Sequence, residues 1–168
     1  MLRALRPSRT NPLHNAAGIT TRHATLAAGT NYRVGRTQAT EGVFLIDHIS
    51  LGTCRYSEAV AFYRQALAPI DAQLMRDSGN EAAFGTGSRW FFFLYPQDAA
   101  QRVTAPGTHL AFSAATRAQV IAVYEAALAA SGTNLFSPRE RPDISPTYFG
   151  AMFTDLDGHR VEVLTNDG

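Results

Sequence analysis

Residues 47–67 read DHISLGTCRYSEAVAFYRQAL, and residues 108–128 read THLAFSAATRAQVIAVYEAAL. Slid by 61 positions with no gap, the first lies on the second. His48 falls on His109, Ile49 on Leu110, Leu51 on Phe112, Val60 on Ile121, Ala61 on Ala122, Tyr63 on Tyr124, Ala66 on Ala127 and Leu67 on Leu128. A repeat seen once at so long a period implies two related modules rather than a solenoid.

Outward from this pair, each copy opens on a strand-like run, 43–52 and 108–114, and passes into a helix. Ser57 and Glu58 start the first helix, whose apolar residues Ala59, Phe62, Tyr63, Ala66 and Leu67 recur at helical spacing. Thr116 is the expected N-cap of the second, with Val120, Val123, Tyr124 and Leu128 on its apolar face and Gly132 as the stop signal. Short β-type segments follow: 73–77, 81–85 and 90–95 in the first half, 133–136, 148–154 and 160–165 in the second. Asp157-Gly158 marks a hairpin turn between the last two. Pro138, Pro142 and Pro146 predict a loop from Phe136 to Tyr148. Each half therefore reads β-α-β-β-β, giving an α+β domain at 43–166 built from modules 43–96 and 107–166.

Strand alternation decides where the polar residues of these runs point. Ile49 and Leu51 share one face and His48 and Ser50 the other; Leu110 and Phe112 oppose His109, Ala111 and Ser113. In the last strand Val161 and Val163 oppose Arg160, Glu162 and Leu164. With the apolar sets against the helices, both histidines and the glutamate project onto the opposite side. Two imidazoles and one carboxylate can hold one divalent ion and leave coordination positions open, a set that suits iron, manganese, nickel or zinc. A glutamate inside Val-Glu-Val needs a partner, because burying an unpaired carboxylate is costly.

Composition sets the limits. At 45% hydrophobic and 17% charged, the 168 residues suit one globular domain. Cys54 is the only cysteine, so no intramolecular disulfide forms. No apolar run approaches the ~18 residues that cross a bilayer. Residues 1–40 hold six arginines and no acid, leaving nine arginines against fourteen acids in the rest. The folded part is thus net negative, which argues against a nucleic-acid surface. The leader, 1–42, is expected to be disordered; its composition fits a mitochondrial transit peptide, a non-essential tail or a start set too far upstream. The expected compartment is the cytoplasm, or the mitochondrial matrix if the leader is a targeting signal.

The order of motifs resembles the vicinal oxygen chelate superfamily of glyoxalases, bleomycin- and fosfomycin-resistance proteins and extradiol dioxygenases. Its carriers are Asp47-His48-Ile49, Phe62-Tyr63, Gly107-Thr108-His109-Leu110-Ala111-Phe112, Tyr148-Phe149-Gly150-Ala151, and Asp155-Leu156-Asp157-Gly158 before Val161-Glu162-Val163. The resemblance implies paired βαβββ modules, eight strands in a curved mixed sheet, and one divalent metal on His48, His109 and Glu162. Glyoxalase I-type enzymes usually carry a further glutamate in the fourth strand of the first module, and Phe92 stands at that place here. Extradiol dioxygenases carry a tyrosine and an Asp-Pro turn near the end, where this chain has Met152 and Leu156.

The expected function is a metal-dependent enzyme, glyoxalase-like or a dioxygenase, acting on a small molecule with adjacent oxygens, with Glu162 and Tyr148 as catalytic residues. Trp90 and Phe92 would line its pocket, and Arg139 and Arg141 on the proline-rich loop would grip an anionic group. The rival expectation is a metal-free binding or sequestering protein of the bleomycin-resistance type. Either a monomer or a homodimer is compatible, because two modules can close one barrel or exchange between chains.

Overall fold

The structure, a computed structural model, describes residues 46–167, all within the unit Val43–Gly168. The expectation for the leader lies outside the described residues. From Ile49 onward the elements follow the β-α-β-β-β order twice: β1 (Ile49–Thr53), α1 (Tyr56–Ala66), β2 (Gln73–Asp77), β3 (Ala82–Thr86) and β4 (Arg89–Pro96), then β5 (Leu110–Ser113), α2 (Arg117–Ala129), β6 (Thr133–Glu140), β7 (Phe149–Thr154) and β8 (Arg160–Thr165). A 3-10 turn, Ala68–Ile70, follows α1. The strands bond as two four-stranded mixed sheets, β1-β4-β3-β2 and β5-β8-β7-β6. In each, the first strand pairs in parallel with the last and the remaining pairs are antiparallel.

The apolar faces read from the sequence meet in one core. Phe62, Tyr63 and Ala66 of α1 and Val120, Val123 and Ala127 of α2 pack with Phe84, Phe92, Leu94, Phe112, Phe153, Val161 and Val163. Thr116 caps α2 as expected, its hydroxyl accepting the Gln119 N–H at 3.2 Å. The helix ends differently from the expectation. Ser131, not Gly132, takes the left-handed conformation (φ 75°). Gly132 is needed for closeness instead, since a Cβ there would stand 2.9 Å from the Ala127 carbonyl and 3.0 Å from that of Thr154.

One segment departs from the sequence reading. β6 continues past Phe136 to Glu140 and includes Pro138, so the loop expected from Phe136 begins only at Arg141. A proline is tolerated there because β6 is the outer strand of its sheet, and its register slips between Asn134 and Phe136 and again between Phe136 and Arg139. No helix among the described residues is long and apolar enough to cross a membrane.

The β7–β8 turn binds the two modules together. Asp155 accepts the Tyr63 hydroxyl at 2.8 Å, and Asp157 accepts the Thr53 hydroxyl and, at 3.1 Å, the Cys54 N–H. His159 Nε2 donates to the Gly52 carbonyl at 2.8 Å. Its position in a hairpin predicts an exposed ring; it is buried, because the turn folds against the end of β1.

Candidate active site

Two of the three expected ligands meet. Ala111 of β5 pairs with Glu162 of β8, and His109 precedes Ala111 by two residues, so His109 and Glu162 share the face turned away from the helices. His109 Nε2 lies 3.3 Å from Glu162 Oε2, with Glu162 nearly enclosed (8% exposed) and the histidine half open at 45%. The other carboxylate oxygen accepts the Tyr148 hydroxyl at 2.8 Å. A buried carboxylate needs such partners, and Glu162 has both, along with the positive field of Arg141. Burial and the adjacent Glu162 push the Tyr148 phenol up to about 12, so it stays protonated at neutral pH and remains a donor.

Gly150 makes this packing possible. It pairs with Leu164 beneath the cluster, and a Cβ there would come within 3.0 Å of Tyr148 Cε1, 3.3 Å of the Val163 carbonyl and 3.5 Å of Glu162 Oε1. Periodicity carries no signal for this role.

His48 does not join the pair. It sits just before β1, half exposed, its Nδ1 2.8 Å from Asp47 Oδ1 and its ring edge-on to Phe93 at 5.2 Å. It borders a cleft of about 520 Å³ with Asp47, Phe91, Phe112 and Ser113, whereas His109 borders an adjoining cleft of about 490 Å³ with Gly107, Thr108 and Arg160, the two meeting at Ile49 and Leu110. Among the described residues no three His, Cys, Asp or Glu side chains are grouped closely enough to hold a metal ion. The convergence expected of His48, His109 and Glu162 within one chain is therefore not found.

The aromatic expectations are also redrawn. Although Phe92 backs the His48 cleft, its ring is 0% exposed, enclosed by Tyr63, Phe84 and Phe112. It is a core residue and offers a ligand nothing. Register identifies the true counterpart of Glu162: Ser50 pairs with Phe93 as Ala111 pairs with Glu162, and Ser50 and Ala111 are equivalent in the repeat. Phe93 therefore occupies the first module's carboxylate place. Trp90 is exposed on β4, opposite Gly85. Arg139 belongs to β6 rather than a loop, with its guanidinium 4.7 Å above the Phe136 ring. Arg141 follows β6 and grips Asp143 through two bonds of 2.9 and 2.7 Å. That pairing raises the Arg141 pKa and lowers that of Asp143.

The fit to a divalent ion can be tested on the donors present. Two ligands each about 2.1 Å from a cation stand roughly 3.0–3.4 Å apart on an octahedral or tetrahedral edge. The 3.3 Å between His109 and Glu162 falls in that interval and is long for a charge-assisted hydrogen bond. The pair fits as two corners of a coordination shell, while Tyr148 holds the remaining carboxylate oxygen out of it.

Comparison with known proteins agrees with this architecture. The family model described as Glyoxalase/Bleomycin resistance protein/Dioxygenase superfamily matches residues 45–163. A search of curated proteins gave no match. Among solved structures, a glyoxalase/bleomycin resistance protein from Albidiferax ferrireducens superposes with a TM-score of 0.65 at 20% identity, covering 73% of this chain and 99% of that one. A glyoxalase I mutant from Zea mays gives 0.56 at 21%, over 71% of this chain and 46% of its own. A mutant of the fosfomycin resistance protein FosX from Listeria monocytogenes, complexed with Mn(II), gives 0.53 at 22%, over 70% and 86%. At such identities the likeness is one of fold.

Proposed function

This chain belongs to the glyoxalase/bleomycin resistance protein/dioxygenase superfamily, and from that premise we propose that it is a metal-dependent enzyme acting on a small molecule that presents two adjacent oxygens. The observation that carries the reading is the His109–Glu162 pair, a half-open imidazole and an enclosed carboxylate spaced like neighbouring ligands. His109 and Glu162 would hold one divalent ion, of iron, manganese, nickel or zinc. When bound, the ion supplies Lewis-acid stabilisation of negative charge developing on the paired oxygens. The protein's own part is positional. Tyr148 fixes the rotamer of Glu162 and keeps Oε2 turned toward His109, and Gly150 lets both side chains lie close against the strand.

Among the described residues His48 is not grouped with His109 and Glu162 within one chain, so the proposal takes the third ligand from a second copy, in a homodimer. Metal content of protein purified without chelator tests this. Wild type retains about one ion per chain; His109→Ala and His48→Ala lose it. Mixing His48→Ala with Glu162→Ala chains restores part of it, because one intact site forms per mixed dimer. Stoichiometric metal surviving His109→Ala refutes the site.

One observation favours a second reading, a metal-free binding protein. In the first module Phe93 stands where the second has Glu162, and no three-ligand group exists within the described residues of one chain. Wild type that takes up none of the four metals decides for it.

A further inference from the structure

The face that carries Glu162 holds more positive charge than its acids balance. Register places Phe136 opposite Met152, Arg139 opposite Gly150, Glu162 opposite Met152 and Arg160 opposite Thr154. Cross-strand partners share a face, so Arg139, Arg160, Phe136 and Glu162 all emerge on the same side as His109. Arg141 approaches from the loop, close enough for its charge to act on Glu162 and Tyr148. Two guanidiniums thus share the face of one strand carboxylate and a third acts on it from the loop, with Asp143 as the acid that pairs with the last.

Each guanidinium is held differently. Asp143 neutralises Arg141 through a bidentate pair. Arg160 rests against Met152 Sδ at 3.5 Å. Arg139 makes no salt bridge among the described residues, although its charge acts on Asp143; its guanidinium carbon lies over the Phe136 ring at 4.7 Å, and Arg141 approaches the same ring at 5.7 Å. Bringing two cations to one ring costs repulsion that packing alone does not require. Stacking fixes the plane of a guanidinium and leaves its N–H edge free for a planar or tetrahedral oxyanion. The register slip between Phe136 and Arg139 aims this side chain, as bulges beside sites do. Opposite it, Gly150 places no side chain between Arg139 and the Tyr148–Glu162 pair.

We infer that the small molecule handled on this face is an anion, and that Arg139, seated on Phe136, takes its carboxylate or phosphoryl group while the rest of the molecule lies toward Tyr148 and Glu162. This rests on the proposed function for the location of the site and not for the metal. The test is NMR titration of the full-length protein, as purified and again with chelator, with methylphosphonate in one arm and acetate in the other, following the arginine side-chain N–H signals. Saturable binding in at least one arm is expected. Arg139→Gln weakens it about tenfold, Arg139→Lys less, and Arg64→Gln, on the exposed side of α1, leaves it unchanged. The arm that binds identifies the oxyanion. Equal binding by wild type and Arg139→Gln, or no saturable binding in either arm, overturns the inference. Because one series runs with chelator, failure of the metal reading leaves this readout intact, and metal retained without Arg139-dependent binding sinks only the anion.

Discussion

Replacing Tyr63 with phenylalanine tests the joint between the modules most sharply. The Tyr63 ring is 0% exposed and packs edge-on to Phe62 and Phe92, and phenylalanine preserves that shape. What is lost is one hydrogen bond, from the hydroxyl to Asp155 Oδ2 at 2.8 Å. Oδ1 keeps two backbone donors, the N–H groups of Asp157 at 3.0 Å and His159 at 2.8 Å; Oδ2 keeps none among the described residues. Burial already raises the Asp155 pKa, and the Tyr63 bond is the largest influence opposing that rise. A carboxyl whose pKa is raised in the folded state favours folding below its unfolded pKa and loses that contribution as pH rises through the folded value. Tyr63→Phe lifts the folded value further, so its cost must grow from acid toward neutral pH. A hydrogen bond to a neutral acid is worth about 1 kcal/mol and one to a carboxylate about 1.5–3 kcal/mol. Urea unfolding of wild type and variant, followed by Trp90 fluorescence, should show a loss of about 1 kcal/mol near pH 4 and about 2–3 kcal/mol at pH 7. Equal losses at the two pH values would show that Asp155 does not depend on this donor, and the reasoning would fail.

Gly150→Ala should displace the Tyr148 ring, because the Val163 carbonyl on the other side of the new methyl belongs to the backbone and cannot yield. A loss of about 1–3 kcal/mol is expected by thermal unfolding, together with weakened metal retention; unchanged values in both measurements contradict the packing described. Thr116→Ala removes the α2 cap and should cost about 1 kcal/mol, with Thr116→Ser recovering most of it in the same unfolding assay.

The order of elements was legible because each half repeats the same change of period, from two in β1 and β5 to helical spacing in α1 and α2. The pairing of His109 with Glu162 was legible for the same reason, since alternation places both on one face. Phe92 was given that place by the resemblance alone, which carries no register for the fourth strand. The β3–β4 register slips where Phe84 pairs with Phe92 but Gly85 with Trp90, so Phe91 is an extra residue and the pattern inverts on either side of it. Pro138 misled because the rule against proline holds for inner strands, and strand order is a property of the tertiary fold. The burial of His159 depends on the Gly52 carbonyl, 107 residues earlier, which no local pattern contains. That His48 stands apart from His109 follows from how the two sheets lie, beyond the reach of repeat symmetry.

Bonds from the Asp155–His159 turn into the end of β1 and into α1 make the covalent link between the halves nearly redundant. Residues 97–109, which form neither helix nor strand, hold to β1 chiefly through the Gln97 N–H on Thr53 and the Cys54 thiol on Asp98. Nicked in that connector, the protein should persist as one particle, and new termini placed there should be accepted by a permuted chain.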